Sequence, residues 1–173
     1  MVLSLIILLI CEGLVLLFAA YLVWSLISKT PFYPSRVSKL NKNYLDGKIF
    51  IPKTARFIDL GSGDGRIVLW AADKVSYAEG IEFNPFLSLF SKLILFIRGF
   101  SGKTKIMNKN FYNHNYSNYD IAYMYIFPEH MGIIKDKLLK EMPKGSSIIT
   151  NTFQIPGLDP DERHDRFFIY KVK

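Results

Sequence analysis

The chain opens on 28 positions that carry a single charge, Glu12, among Leu, Ile, Val, Ala and Phe. A helix of that length rises about 42 Å, enough to cross a hydrocarbon core of about 30 Å with tilt. Tyr21 and Trp24 stand toward its carboxyl end, where an aromatic belt would lie. A secretory signal would need a basic start, a shorter apolar core and a small-residue cleavage site. No Lys or Arg precedes Lys29, so the pattern predicts a retained transmembrane anchor over residues 1–28.

Beyond residue 28 the pattern shortens. Thr30 to Ser35 holds two prolines and reads as an extended linker. Ser35 can cap a short helix with Val37, Leu40, Tyr44 and Leu45 on one side, ended by Asp46-Gly47. Phe57, Ile58 and Leu60 then predict a strand buried on both faces. A helix follows to about Lys74, and a second strand runs from Tyr77 to Glu82. Pro85 opens a very apolar helix from Phe86 to Ile97, mostly core, with an excess that can rest on a membrane surface. Lys103 to Met107 is a weak third strand, and Asp120 to Ile126 a good fourth. A helix with Ile133, Ile134, Leu138 and Leu139 runs to about Met142, before a fifth strand from Ser146 to Thr152. Pro156 to Asp165 reads as a polar loop and Arg166 to Val172 as a last strand. Strands alternating with helices predict an α/β fold with a parallel sheet. The expected organisation is an anchor at 1–28, a linker and short helix at 29–48, and a globular domain at 49–173.

Charge adds orientation. All 22 Lys and Arg, and 14 of the 15 Asp and Glu, lie beyond the apolar start, which leaves the remainder at +8. Lys29, Arg36, Lys39, Lys42 and Lys48 follow the span closely. The positive-inside tendency places the domain on the cytoplasmic, or equivalent inner, side of a membrane, against anionic headgroups of the lipid bilayer. The basic residues are scattered without an arginine-rich run, so nucleic acid is not the expected partner. Cys11 is the only cysteine, which excludes a disulfide framework and a cysteine metal site. His114, His130 and His164 show no ligand spacing, and no metal is expected.

The candidate chemistry sits at the end of the first strand of the domain. Gly61, Gly63 and Gly65 alternate between Asp59 and Arg66. Such glycines allow a sharp turn and close approach of a ligand to the backbone. The spacing departs from the dinucleotide fingerprint, whose third glycine comes one residue later. Glu82 closes the second strand 23 residues after Asp59, near the interval of about 20 at which an acid accepts ribose hydroxyls.

Asp59-Leu60-Gly61-Ser62-Gly63-Asp64-Gly65 resembles the first motif of Rossmann-like methyltransferases dependent on S-adenosyl-L-methionine (SAM). With Gly80 to Pro85, Phe127-Pro128-Glu129-His130-Met131, the apolar start and a Pro-Phe-Tyr-Pro linker, the chain resembles a family of small membrane-anchored protein-lysine methyltransferases. Mitochondrial members of that family modify the c-subunit of ATP synthase and the adenine nucleotide translocase. The resemblance implies that Asp59, Gly61, Ser62, Gly63, Asp64 and Gly65 hold the methionine part of SAM. Glu82 would bind the ribose, Asn110 and Phe111 the adenine, and Tyr33 would fold over the cofactor. Phe127, Pro128 and Glu129 would form the mouth where a lysine of a membrane-associated protein enters. Relatives often carry Asp where this chain has Asn110, whose amide oxygen can still accept from the adenine amine. Glu129 can orient the amine or take its proton, or can serve as an acid at a helix N-terminus.

Such folds usually end on a helix and a β-hairpin after the fifth strand. Here only 21 residues follow Thr152, and Pro156, Gly157 and Pro160 make a poor helix. The expectation is six strands, in the order 3-2-1-4-5 with the last antiparallel beside the fifth and no strand beyond it. Two other readings use the same cofactor site: a methyltransferase for a lipid or small molecule at the membrane, and a tethered SAM-binding protein without turnover.

Overall fold

The computed structural model of the protein describes residues 2–28 and 34–173, except for side chains of the first helix at positions 14, 17, 18, 20–22 and 24–28. It divides into two units, Met1–Tyr33 and Pro34–Lys173. The side chains of Tyr21 and Trp24, the linker residues through Tyr33, and Lys29 lie outside the described residues.

The first unit holds α1 (Val2–Ser28). Among the described residues, no helix is long and apolar enough to cross a membrane. This corrects the expected single-pass anchor, and the cytoplasmic placement that rested on it. α1 carries the acidic Glu12 within it.

The second unit is a seven-stranded sheet in the order β3-β2-β1-β4-β5-β7-β6. The strands are β1 (Arg56–Leu60), β2 (Tyr77–Glu82), β3 (Thr104–Asn108), β4 (Ile121–Met124), β5 (Ser147–Asn151), β6 (Glu162–His164) and β7 (Phe167–Lys171). The first five are mutually parallel. Phe57 faces one apolar cluster and Ile58 and Leu60 the other, because alternate side chains point to opposite faces. Both faces are covered, as a parallel sheet requires. The helices are α2 (Val37–Leu45), α3 (Arg66–Ala72), α4 (Pro85–Ile97) and α5 (Pro128–Glu141).

The expected order 3-2-1-4-5 is present, and β7 is antiparallel to β5. No helix lies between residues 153 and 165. The expectation of six strands is corrected to seven. Glu162–His164, read as loop, pairs antiparallel with β7 and forms the outer edge. Asp165, at φ +55°, closes this hairpin, in a left-handed conformation that Asp tolerates better than most residues.

Three local readings also change. Ser35 does not cap α2: Arg36 holds the N-cap position without a side-chain bond, and Ser35 Oγ accepts from Tyr123 Oη at 3.3 Å instead. In α4 only Ser88, Ser91 and Leu95 are buried, while Leu89, Phe90, Leu93, Phe96 and Ile97 are exposed. Less of that helix is core than its composition implied. In α5, Ile134 and Leu138 are buried but Ile133 is exposed, since one helix stripe cannot place both 133 and 134 inward.

Candidate functional site

The site lies at the carboxyl ends of β1, β2 and β4, where the sheet order reverses between β1 and β4. Crevices at that position hold ligands in open α/β sheets. Its floor is the turn after Leu60. Gly61, Gly63 and Gly65 have φ of +76°, +54° and +78°, the left-handed region that glycine enters without strain. Gly61 N and Ser62 N both donate to Ile81 O at 2.9 Å, which ties the turn to β2. A Cβ on Gly65 would come within 2.8 Å of Ser91 Cβ, so α4 packs directly on the turn. A Cβ on Gly61 would stand 3.3 Å from Ile126 Cγ2, so the end of β4 borders the same turn.

Glu82 organises the next layer. Its Oε2 accepts from Gly63 N at 2.8 Å and its Oε1 from Asn84 N at 2.7 Å. Burial pushes its pKa up, against the pull of those backbone donors. Each carboxylate oxygen has a second lone pair with which to accept from another donor. Asn84 in turn caps α4, accepting from Phe86 N at 2.9 Å. Asn108 Nδ2 donates to Glu82 O at 2.9 Å and Lys109 N to the same oxygen at 3.2 Å, which brings the segment after β3 to the end of β2.

Asp59 is buried beside this pair. Its pKa is raised well above the carboxylate range by burial, then by the charges of Glu82 and Asp64. A buried carboxyl with two further acids nearby suits a cationic ligand, whose charge would favour the ionised form.

The remaining candidates fall in two groups. Asn110 caps a 3-10 helix (Phe111–Asn113), with Oδ1 accepting from Tyr112 N at 3.0 Å. That oxygen therefore already has one donor. Phe111 is half-buried, and its carbonyl accepts from Tyr116 Oη at 2.6 Å. Asp64 turns to Arg66, whose Nε lies 2.9 Å from Oδ1. Ser62 Oγ is buried without a partner among the described residues, close against Gly80, where a Cβ would sit 2.6 Å away. Phe127 and Pro128 open α5 beyond β4, and Glu129 in its first turn is 77% exposed, its Oε1 3.9 Å from His130 Nε2. The structure thus joins Asp59, the glycine turn and Glu82 in one unit. It brings Asn108 and Lys109, just ahead of Asn110 and Phe111, to the end of β2, and leaves Glu129 exposed in the first turn of α5. Tyr33 lies outside the described residues.

Some residues of this region gave no sequence signal. Tyr123 stands opposite Asp59 in the β1–β4 register. Its Oη accepts from Asn151 Nδ2 at 2.9 Å, and burial pushes the phenol pKa up. Tyr112 Oη lies 2.7 Å from His130 Nδ1, which links the 3-10 turn to α5. The only cue to either pair was an unexplained polar group at the end of an apolar strand or helix.

Comparison with known proteins agrees with this geometry. Residues 59–162 match the ANTKMT methyltransferase domain. The ATP synthase C-subunit lysine N-methyltransferase of Xenopus laevis is 30% identical over 131 residues, 76% of this chain and 57% of that protein. The adenine nucleotide translocase lysine N-methyltransferase of Mus musculus is 27% identical over 169 residues, 89% of this chain and 73% of that protein. The chain spans little more than half the length of the ATP synthase methyltransferases it matches. An RNA methyltransferase from Salinibacter ruber, solved with S-adenosyl-L-homocysteine, superimposes with a TM-score of 0.74 at 20% identity over 81% of this chain and 94% of that one. That likeness identifies the fold as the Rossmann-like methyltransferase fold.

Proposed function

Because the chain belongs to the ANTKMT methyltransferase domain family, we propose that it is a SAM-dependent methyltransferase acting on lysine side chains of a protein. The observation that carries the cofactor is the buried Asp59 carboxyl beside the Glu82-bound glycine turn. Bound SAM would supply an electrophilic methyl group on a sulfonium. Asp59 would face its α-ammonium group. The turn from Gly61 to Gly65, with Ser62 and Asp64, would lie along its methionine part. Glu82 would accept from the ribose hydroxyls, and Asn110 and Phe111 would flank the adenine. Tyr33 is proposed as a cover for the cofactor.

The names of the lysine N-methyltransferase relatives support a lysine acceptor. A lysine must lose its proton before it can attack, because an ammonium has no lone pair. Phe127 and Pro128 would give it apolar walls, and an apolar surround favours the neutral amine. Glu129, exposed in the first turn of α5, would orient the amine or receive its proton. A membrane-associated protein is the proposed acceptor, supported by the net charge of +8 beyond residue 28 and by the exposed apolar side of α4.

Titration calorimetry with SAM tests the cofactor assignment. The wild type should bind, and Asp59→Ala and Gly63→Arg should not, while both keep the far-UV spectrum of the folded chain. Undiminished affinity in both variants would refute it.

A further inference from the structure

The motif from Phe127 to Met131 contains one polar side chain besides Glu129, and the chemistry above gives it no role. His130 stands in the first turn of α5 and is half-buried. Its Nδ1 lies 2.7 Å from Tyr112 Oη. The phenol can donate to a bare Nδ1 or accept from a protonated one, so this link holds in either tautomer of the ring. It joins α5 to the short turn that follows β3.

Tyr112 in turn holds both residues placed beside the adenine. Its backbone N donates to Asn110 Oδ1 at 3.0 Å, which sets the direction of that amide. Its ring packs on Phe111, with centroids 4.5 Å apart at an interplanar angle of 56°. The His130 ring meets Phe111 as well, edge-on at 6.3 Å and 82°. The segment is a single 3-10 turn, Phe111–Asn113, closed by Asn113 N to Asn110 O at 3.1 Å and His114 N to Phe111 O at 3.3 Å. Hydrogen-bond geometry in 3-10 segments is poor, so the shape of this one depends on what grips it from outside. Tyr116 grips its backbone, Oη donating to Phe111 O at 2.6 Å, and His130 grips its side chain.

We propose that His130 is a positioning residue for base recognition, acting through Tyr112 on Asn110 and Phe111. Asn110 Oδ1 keeps a second lone pair after accepting from Tyr112 N, and that lone pair meets an exocyclic amine only while Tyr112 is held in place. The inference deepens the cofactor reading, and rests on Asn110 and Phe111 flanking the adenine. Its consequence is selectivity: with the Tyr112–His130 link intact, the pocket prefers a purine that carries an amine to one that carries oxygen at the same carbon.

The test titrates S-adenosyl-L-homocysteine and S-inosyl-L-homocysteine, in which oxygen replaces the adenine amine, into the full chain by calorimetry. The wild type should bind the adenine compound about three- to tenfold more tightly. Tyr112→Phe keeps the ring and loses the hydroxyl; His130→Leu keeps bulk and loses Nδ1. Each should bring the ratio below about twofold. His130→Asn, whose amide can stand near the place of Nδ1, should restore the larger part of it. General loosening of the fold would weaken both compounds alike and leave the ratio unchanged. Tyr112→Phe removes one oxygen from a half-buried ring, so it keeps the test open if His130→Leu does not fold. Asn110→Ala checks the underlying reading. A ratio lost in Asn110→Ala but kept in Tyr112→Phe and His130→Leu would overturn the role of His130 and leave the adenine assignment standing. Equal affinity of the wild type for both compounds, or a ratio that survives Asn110→Ala, would overturn the adenine assignment and this inference with it.

Discussion

Replacing Gly65 by alanine separates the two demands that the turn places on its glycines. Gly65 sits at φ +78°, and a Cβ there would lie 2.8 Å from Ser91 Cβ. Left-handed backbone costs an L-residue about 1–2 kcal/mol. Ser91 is fully buried and its Oγ donates to Ser88 O at 3.0 Å, so it cannot swing aside. Overpacking of that kind adds about 1–3 kcal/mol. Gly65→Ala should therefore lower stability by about 2–5 kcal/mol. Gly99 is the control: φ is +76° and a Cβ would meet nothing within 4 Å. Gly99→Ala carries the backbone cost alone, about 1–2 kcal/mol. Adding Ser91→Gly to Gly65→Ala removes the contact at the cost of a glycine inside a helix, about 0.5–1 kcal/mol. Urea unfolding of the wild type and the three variants, followed by circular dichroism, measures the series. If Gly65→Ala proves no more damaging than Gly99→Ala, the packing of α4 on the turn is not as described.

Asp59 titrates above its unfolded range, so the folded chain binds more protons than the unfolded one between the two values. The stability of the ligand-free protein should fall as pH rises through that window, and Asp59→Asn should flatten the fall and stabilise the protein above it. Unfolding curves across a pH series check this, and an unchanged profile would contradict it. Glu82→Gln should cost about 1–3 kcal/mol and weaken SAM binding, because one of its two backbone donors would meet an NH2 group instead of an acceptor. Tyr170→Phe should cost about 1–3 kcal/mol by leaving Ile155 N, now 2.9 Å from Tyr170 Oη, buried and unpaired. Denaturant midpoints test both.

The parts of this fold that could be read from the sequence were those with one physical solution. Glycines at 61, 63 and 65 admitted a turn that no other residue would make cheaply, and all three have positive φ. Glu82 followed from the length of a strand–helix–strand unit. Pro85 after Asn84 marked the start of α4, and the structure has Asn84 as cap and Pro85 at its first turn. Strand β6 could not be read, because Glu162-Arg163-His164 has no apolar alternation. It is an edge strand whose order comes from pairing with β7 and from Arg163 over the Phe168 ring at 5.1 Å. The stacking of Phe153 on Tyr125, ring centroids 6.3 Å apart, gave no cue either, since Phe153 follows a left-handed Thr152 that no propensity predicts. Composition also misled. The apolar residues of α4 suggested a core helix, yet most of them face outward. The apolar start suggested a membrane crossing that no helix among the described residues provides.

The central claim is the transfer of a methyl group from SAM to a protein lysine. The direct measurement incubates the purified chain with methyl-labelled SAM and membrane and soluble fractions of its source, hydrolyses the labelled protein fully, and separates the amino acids. The account predicts label in methylated lysine with the wild type and none with Asp59→Ala. Label confined to lipid extract or to other amino acids, from a protein that binds SAM normally, would contradict it.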